Sequence, residues 1–372
     1  MVKGILTLEF PHSHNFTRKL STGVNTFSDL EDVVANNDNI GIGDDVLQNT
    51  TSNGVIAIGA NAGNDGPSVN DNSVMIGTNS NSTGAGEQSV ALGYRSFSEG
   101  QYSVSVGPNS FSGGVGSVAL GVGSNASGSN SLAISDFSFA PGDNSISIGN
   151  GSGPTNGTPS QTINIGKSVG NSDNVSDHSI SIGGVEGNIF TSATSQNGIG
   201  YGSIAIGSSC NSVADTSDKR GMLSIMVGSA CCLNGVGAGV TALGVVSGLA
   251  NAPSNNTVLI GHESGQGTTS AVEENSVSIG YQAGKTGAGS SSVLIGQAAQ
   301  GLNDNCIVLN ASGSVTTTVE DGSCYINPIK EETTVSLENH LNLPTTATGF
   351  THVLVFNPTT KEIRAVPQPT IL

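Results

Sequence analysis

A five-residue pattern, in which small and apolar residues alternate before a glycine, recurs along most of this chain. Clear copies are VIAIG at Val55–Gly59, SVALG at Ser89–Gly93 and SISIG at Ser145–Gly149. Weaker copies such as NIGIG and CIVLN bring the total to seventeen between Asn39 and Asn310. Because side chains alternate between the two faces of a β-strand, this period of two predicts a short strand with one buried face. A flexible Gly/Ser linker would not keep Val and Ile in phase through every copy.

The spacing of the copies predicts how the strands are arranged. The last residues of five consecutive copies lie 14 residues apart: Gly93, Gly107, Gly121, Ser135 and Gly149. A strand of five residues cannot bury its own apolar face, but a stack of such strands can. We therefore predict an all-β, parallel β-solenoid over residues 39–310, with about 17 coils and a 14-residue core repeat. Longer spacings are expected where loops have been inserted.

The alternation also assigns a direction to each side chain. The small residues between the larger apolar ones, such as Ala91 and Ser105, are expected on the outer face of the coil. The glycine that ends each copy is expected to adopt a positive φ and to allow a sharp turn. The predicted structural core consists of Val90, Leu92, Val104, Val106, Val118, Leu120, Ile146 and Ile148. The predicted turn glycines are Gly93, Gly107, Gly121 and Gly149.

A coil of 14 residues is too short to enclose a substantial core. We therefore expect several chains to pack side by side and to complete the apolar column between them. A homotrimer is the natural closed arrangement, although the sequence does not fix the number of chains. Aromatic residues in consecutive coils are expected either to pack between chains or to form a receptor patch, and these are Tyr94, Phe97, Tyr102, Phe111, Phe137 and Phe139.

The most regular stretch of the sequence resembles a known repeat family. It reads SVALGYRSFSEGQYSVSVGPNSFSGGVGSVALGVGSNASGSNSLAIS and is similar to the head repeat of trimeric autotransporter adhesins, the YadA-like head. The resemblance covers roughly Asn39 to Asn310 and implies a left-handed parallel β-roll with three chains side by side. The family's signal peptide, heptad stalk and C-terminal membrane barrel are not visible in the sequence. We therefore expect the family's fold without its secretion mechanism.

The end of the chain carries a second, narrower resemblance. The stretches Cys306–Gly313, Tyr325–Lys330 and His352–Val366 are similar to the end of repeat-containing fibre proteins encoded by large DNA viruses and phages. From the residues themselves, VLVF, NPTT and KEIRAV predict a strand, a turn and a return strand. The predicted closing hairpin includes Asn357, Pro358, Lys361 and Glu362. Residues 311–372 are therefore predicted to form a β-rich trimerisation cap.

The N-terminal residues 1–38 lack the repeat. Ser28 and Glu31 have capping-box spacing before Val33 and Val34, which predicts one short helix within Ser28–Asn36. This segment either docks the protein onto a larger particle or caps the first strand of the solenoid against edge pairing. The sequence leaves both interpretations open.

Composition and charge limit the possible chemistry. The 372 residues include 53 Gly, no Trp, 11 Lys plus Arg and 28 Asp plus Glu, for a net charge of −17. So few basic residues argue against nucleic-acid binding, and no stretch approaches the roughly 20 apolar residues of a membrane span. His12 and His14 are weak candidates for metal ligands, since a threefold axis would gather six imidazoles; the alternative is an exposed flexible arm. We expect no catalytic residues and no cofactor.

These observations favour a non-enzymatic structural fibre or spike on a virion. One terminus is expected to attach to a capsid or tail protein, and the rod is expected to contact a host surface glycan or protein receptor. The protein would be synthesised in the host cytoplasm and located on the virion surface. The alternative is the passenger domain of a bacterial surface adhesin that binds host or matrix.

Overall fold

A computed structural model shows how much of this expectation the fold realises. The chain divides into two compact units, Met1–Asn171 and Ser172–Leu372, which are described separately. The structure describes residues 33–36, 38–47, 52–64, 71–81, 84–155, 157–170, 177–183, 201–207, 223–232, 237–249, 253–267, 272–318, 320–328, 352–357, 359 and 362–367.

Both units are built from short β-strands, and no helix occurs among the described residues. The first unit contains β1 (Val33–Asn36), β2 (Asn39–Ile42), β3 (Ile56–Ile58), β4 (Val74–Ile76), β5 (Val90–Leu92), β6 (Phe97–Ser98), β7 (Val104–Val106), β8 (Phe111–Ser112), β9 (Val118–Leu120), β10 (Asn125–Ala126), β11 (Leu132–Ile134), β12 (Ile146–Ile148) and β13 (Ile163–Ile165). The second contains β14 (Ile180–Ile182), β15 (Ile204–Ile206), β16 (Ile225–Val227), β17 (Thr241–Leu243), β18 (Val258–Ile260), β19 (Val277–Ile279), β20 (Val293–Gly296), β21 (Ala299–Gln300), β22 (Ile307–Asn310), β23 (Thr316–Thr317), β24 (Cys324–Asn327), β25 (His352–Phe356) and β26 (Glu362–Pro367).

Each predicted copy of the repeat lies on a strand, and we call these strands the rungs. Neighbouring rungs pair in parallel and in register, so that Val90 pairs with Val104 and Val104 with Val118. The 14-residue coils add a second, two-residue strand, and β6, β8 and β10 form a separate parallel sheet. The predicted all-β parallel β-solenoid is therefore confirmed.

The interior of the 14-residue coils is the reverse of the prediction. Ala91, Ser105 and Ala119 are completely buried, whereas the larger apolar residues are only half-buried on the outer side of the same strands. Within a single chain, the inward orientation predicted for the following residues is wrong: Val90, Leu92, Val104, Val106, Val118, Leu120, Ile146 and Ile148. The physical reason is space, because the second strand of these coils lies close to the rung and its inward residues, Ser98, Ser112 and Ala126, are completely buried as well.

Serine hydroxyls line this narrow interior and bind backbone carbonyls. Ser103 Oγ donates to the carbonyl of Gly100 at 2.6 Å and lies 2.6 Å from Ser98 Oγ. In the next coil, Ser117 Oγ donates to the carbonyl of Gly114 at 2.7 Å. Several of these buried hydroxyls are therefore paired within the coil, as buried polar groups usually are, whereas those of Ser89, Ser131 and Ser147 have no hydrogen-bond partner among the described residues.

Some coils outside the regular region enclose larger inward residues. Met75, Met226 and Leu259 replace Ala or Ser at the middle position of the rung and are completely buried. A glycine often faces such a side chain: a Cβ on Gly265 would lie 2.4 Å from Leu259 Cδ2. Leu294 is also completely buried, although its rung pairs with the next at a spacing of only 14 residues, and a Cβ on Gly301 would lie 2.7 Å from it. A glycine beside the inward side chain, rather than coil length alone, therefore makes room for it.

The turn glycines behave as predicted. Gly93, Gly107, Gly121 and Gly149 have φ of 141°, 131°, 138° and 129°. The carbonyl of the next rung also leaves no room for a side chain here, because a Cβ on Gly107 would lie 2.4 Å from the carbonyl oxygen of Gly121. In the weaker copy SLAIS, Ser135 takes this place with a φ of 93°.

The N-terminal prediction was wrong for the described residues. Val33–Asn36 forms strand β1, which pairs antiparallel with β2, whereas a helix was predicted there. The first rung has an open edge, and the backbone hydrogen bonds gained by covering it outweigh a local capping-box signal. β1 lies on the edge of β2, where the capping interpretation places this segment, and docking onto a larger particle stays a prediction. The remaining residues of the predicted helix lie outside the described residues.

The C-terminal end is closed by a hairpin. One further rung, β24, pairs in parallel with β22 beyond the last predicted copy. The antiparallel hairpin of β25 and β26 then covers β24, with Cys324 opposite Ile363 and Tyr325 opposite Glu362. Asn357 Oδ1 accepts a hydrogen bond from the Thr359 amide at 2.9 Å in the turn. Pro358 and Lys361 lie outside the described residues.

Candidate functional site: the exposed aliphatic ladders

The outer face of the rungs is the most distinctive surface of each unit. In the first unit the register stacks the outward side chains into two columns, which we call the aliphatic ladders. One ladder consists of Ile40, Ile56, Val74, Val90, Val104, Val118, Leu132, Ile146 and Ile163. The other consists of Ile42, Ile58, Ile76, Leu92, Val106, Leu120, Ile134, Ile148 and Ile165. No polar residue interrupts either column.

The second unit repeats this arrangement. Thr241 and Cys324 are the two members of its ladders that are not aliphatic. The first ladder is Ile180, Ile204, Ile225, Thr241, Val258, Val277, Val293, Ile307 and Cys324. The second is Ile182, Ile206, Val227, Leu243, Ile260, Ile279, Ile295, Leu309 and Ile326.

These ladders expose an unusually regular apolar surface. Ile40 and Ile307 retain 45% and 43% of their surface in contact with solvent. With rungs about 4.8 Å apart, nine of them extend about 38 Å, and two outward positions on one rung are about 7 Å apart. The resulting strip covers about 270 Å² in each unit, close to the size of the largest apolar patch on a typical soluble protein, which is often functional.

Charge is almost absent from this surface. A single ion pair occurs among the described residues, between Lys285 Nζ and Glu263 Oε2 at 2.6 Å, and it lies in the turns. The hydrogen bonds from Lys285 and Gln282 hold the pKa of Glu263 below its ordinary value. Burial on the ladder raises the pKa of the Cys324 thiol. The ladders themselves can therefore be covered without desolvating a charge.

The six aromatic residues singled out in the sequence do not form one cluster. Phe97, Phe111 and Phe139 lie on the outer side of the second sheet, where Asn125 separates the last two. The other three occupy turns: Tyr94 and Phe137 follow a rung, and Tyr102 precedes one.

Two features of the turns were missed by the sequence reasoning. A residue with positive φ precedes every described rung. In most coils a second residue with positive φ lies two positions after the turn glycine. Asn130 and Asn144 are typical occupants, with φ of 53° and 55°. In the sequence these positions are marked by frequent Asn and Gly. Tyr102 occupies the position before a rung and Phe137 the position after one, with φ of 59° and 52°, and neither residue type indicates such a turn.

Neither a metal-binding cluster nor a membrane-spanning helix occurs in the part of the chain that the structure describes. There, no three His, Cys, Asp or Glu side chains are close enough to hold a metal ion. His12 and His14 lie outside this part. No helix within it has the length and apolar character needed to cross a membrane.

Comparison with known proteins agrees with this architecture. The family model of the YadA head domain repeat matches residues 85–110, 112–134 and 136–152. These segments contain the rungs from β5 to β12, where the 14-residue spacing is most regular. No curated protein matches the sequence. The chain therefore contains a β-solenoid of YadA-like head repeats.

Proposed function

We propose that this protein is the shaft of a homotrimeric, adhesin-like fibre. The observation that carries the proposal is the pair of uninterrupted aliphatic ladders on the outer face of the rungs. Because the coil interior holds only small residues in the regular region, the larger apolar side chains need a partner chain to bury them. The YadA-like head repeats support three chains as the number that associates.

The size of the ladders is consistent with stable association. Burying the exposed part of one half-buried Val, Leu or Ile contributes about 0.5–1 kcal/mol. Eighteen such side chains in the first unit contribute on the order of 10 kcal/mol per chain, which is comparable with the 4–15 kcal/mol that association costs. The ladders of both units together contribute more than about 4 kcal/mol, the lower end of that estimated cost of association.

We further propose that the fibre belongs to a virion and acts in its architecture and in attachment to a host receptor, without catalysis. The resemblance of the C-terminal stretch to viral fibre proteins supports this assignment. The alternative is the passenger domain of a bacterial surface adhesin, which the head-repeat match also supports. Immunogold labelling of purified particles and of bacterial envelopes, using antibodies against this chain, distinguishes the two.

The trimer is tested by light scattering on the purified full-length chain. We expect a mass three times that of the chain, maintained on dilution. Val106→Asp and Leu120→Asp place a carboxylate on one ladder and are expected to reduce the mass to that of one chain. Val115→Asp is the matched control, because Val115 is exposed in a turn away from the ladders. A folded monomer, or ladder variants that remain trimeric, would refute the proposal.

A further inference from the structure

The turns that follow four consecutive rungs of the first unit stack on one another and present exposed aromatic side chains outside the ladders. We call this stack the turn ridge: Tyr94, Arg95, Pro108, Asn109, Val122, Asp136 and Phe137. The amides of Asn109, Gly123 and Phe137 donate to the carbonyls of Tyr94, Pro108 and Val122, each at 2.9 Å. These bonds stack the ridge over four consecutive rungs, which spans about 14 Å.

The ridge is exposed and aromatic at both ends. Tyr94 and Phe137 retain 50% and 56% of their surface in contact with solvent. The guanidinium carbon of Arg95 lies 5.8 Å from the centroid of the Tyr94 ring. The ring of Phe137 lies over Gly123, at whose position a Cβ would come within 2.9 Å of it. Two flat apolar surfaces therefore face solvent, and the exposed residues Pro108, Asn109 and Val122 lie between them.

The backbone at both ends of the ridge is left-handed, as it is at this position in most described coils. Phe137 and Arg95 have φ of 52°, and the same position in other coils is occupied by Asn61, Asn79 and Asn109. A bulky residue in the left-handed region is strained. Solvent-exposed Phe137 gains little packing energy to offset this strain. Phe137 is the one aromatic residue at this position among the described coils, and its ring faces solvent.

The chemistry of the ridge fits a carbohydrate. Aromatic rings stack on the apolar face of a pyranose, and Arg95, Asn109 and Asp136 can hydrogen-bond its hydroxyl groups. The ridge amides of Asn109 and Phe137 already donate to neighbouring rungs, so a peptide strand cannot pair with them. The net charge of −17 disfavours acidic glycans.

We infer that the turn ridge binds a neutral glycan chain lying along the stack of rungs. This inference deepens the proposed adhesin-like function and rests on it. It places attachment on the side of the fibre, within the regular head repeats.

The test uses the full-length protein on a printed panel of neutral oligosaccharides of glucose, galactose, mannose, fucose and N-acetylhexosamines, with sialylated glycans alongside. We expect binding to at least one neutral glycan. Tyr94→Ala and Phe137→Asn are each expected to weaken it about tenfold, the loss of one aromatic contact. Phe137→Asn should retain or raise the thermal midpoint, because Asn suits this conformation.

The control is Leu223→Asn, since Leu223 is an exposed residue of the second unit with a φ of 56°. It should retain or raise the thermal midpoint and leave glycan binding unchanged. Trimers that bind no neutral glycan, or only sialylated ones, overturn this inference and leave the proposed fibre intact. A monomeric wild-type chain refutes the proposed fibre itself. Loss of the trimer in Tyr94→Ala would assign the ridge to contacts between chains and overturn the inference.

Discussion

Replacing Gly107 by alanine provides the most direct test of the stacked-rung geometry. A Cβ at this position would lie 2.4 Å from the carbonyl oxygen of Gly121 and 2.7 Å from its carbonyl carbon. Both atoms belong to the backbone of the next rung, so no side-chain rotation relieves the contact. The φ of 131° is also one that only glycine adopts easily.

The expected cost follows from these two terms. The backbone conformation costs alanine about 1–3 kcal/mol. Relieving the clash requires the rungs to separate by several tenths of an ångström, which strains the bonds from the amides of Gly107 and Gly121 to the carbonyls of Leu92 and Val106, both 2.8 Å. Weakening one or two such bonds costs about 0.5–1.5 kcal/mol each. The free energy of unfolding should fall by about 2–5 kcal/mol.

Two variants serve as controls, all measured by guanidinium unfolding at one chain concentration with far-UV circular dichroism. Gly116→Ala changes a glycine with a φ of 66°, where the Cβ would meet only the side-chain oxygen of Asn130 at 2.9 Å, so we expect a loss of about 1 kcal/mol. Ser135→Gly removes a strained φ of 93° and should add about 0.5–2 kcal/mol. If Gly107→Ala were no worse than Gly116→Ala, the close approach of adjacent rungs would be refuted.

Further predictions concern the interior, a turn and the ion pair. Ala119→Leu overfills the interior of its coil and should lower the free energy of unfolding by at least about 2 kcal/mol. Leu259→Ala should lower it by about 2–5 kcal/mol because it leaves a cavity. Both changes are measured by denaturant unfolding. Val246→Asn replaces a β-branched residue with a φ of 61° and should raise that free energy by about 1 kcal/mol in the same assay. Lys285→Met should raise the pKa of Glu263, followed by NMR titration. In the wild type, the lowered pKa of Glu263 stabilises the fold at pH values above 4.5, the ordinary pKa of this group. This stabilisation is lost as pH falls through the pKa of Glu263 in the folded state. The variant should show a smaller dependence of stability on pH in this range.

The sequence was sufficient to locate the rungs and their turns, because a two-residue period and a conformationally special glycine are both local properties. It was not sufficient to decide which face of the rung points inward. Alternation defines two faces, and the usual association of large apolar residues with the interior gave the wrong one for Val104 and Val106. The deciding quantity is the space left by the second strand of the same coil, which holds Ser105 next to buried Ser98 and Ser112.

Other misses have the same origin in non-local structure. The capping-box signal before Val33 is local, whereas the open edge of β2 is a consequence of the whole stack. The conformation of Phe137 is imposed by the neighbouring rungs, and phenylalanine is not a residue type that favours a positive φ. Asn61 and Asn109 carry the signal for that column, but it becomes visible only after the coils are aligned by the structure.

The reversed interior has a consequence for how the fibre is stabilised. Coils filled with Ser, Ala and Gly bury little apolar surface, while the aliphatic ladders leave the larger side chains outside. The main hydrophobic contribution is then available only on association, so folding and trimerisation should be one process. For three chains unfolding together, a tenfold rise in chain concentration adds about 2.7 kcal/mol per trimer. We therefore expect the denaturation midpoint, approached from both the folded and unfolded sides, to rise with concentration. A midpoint constant over a hundredfold range would show that the small-residue interior is sufficient by itself.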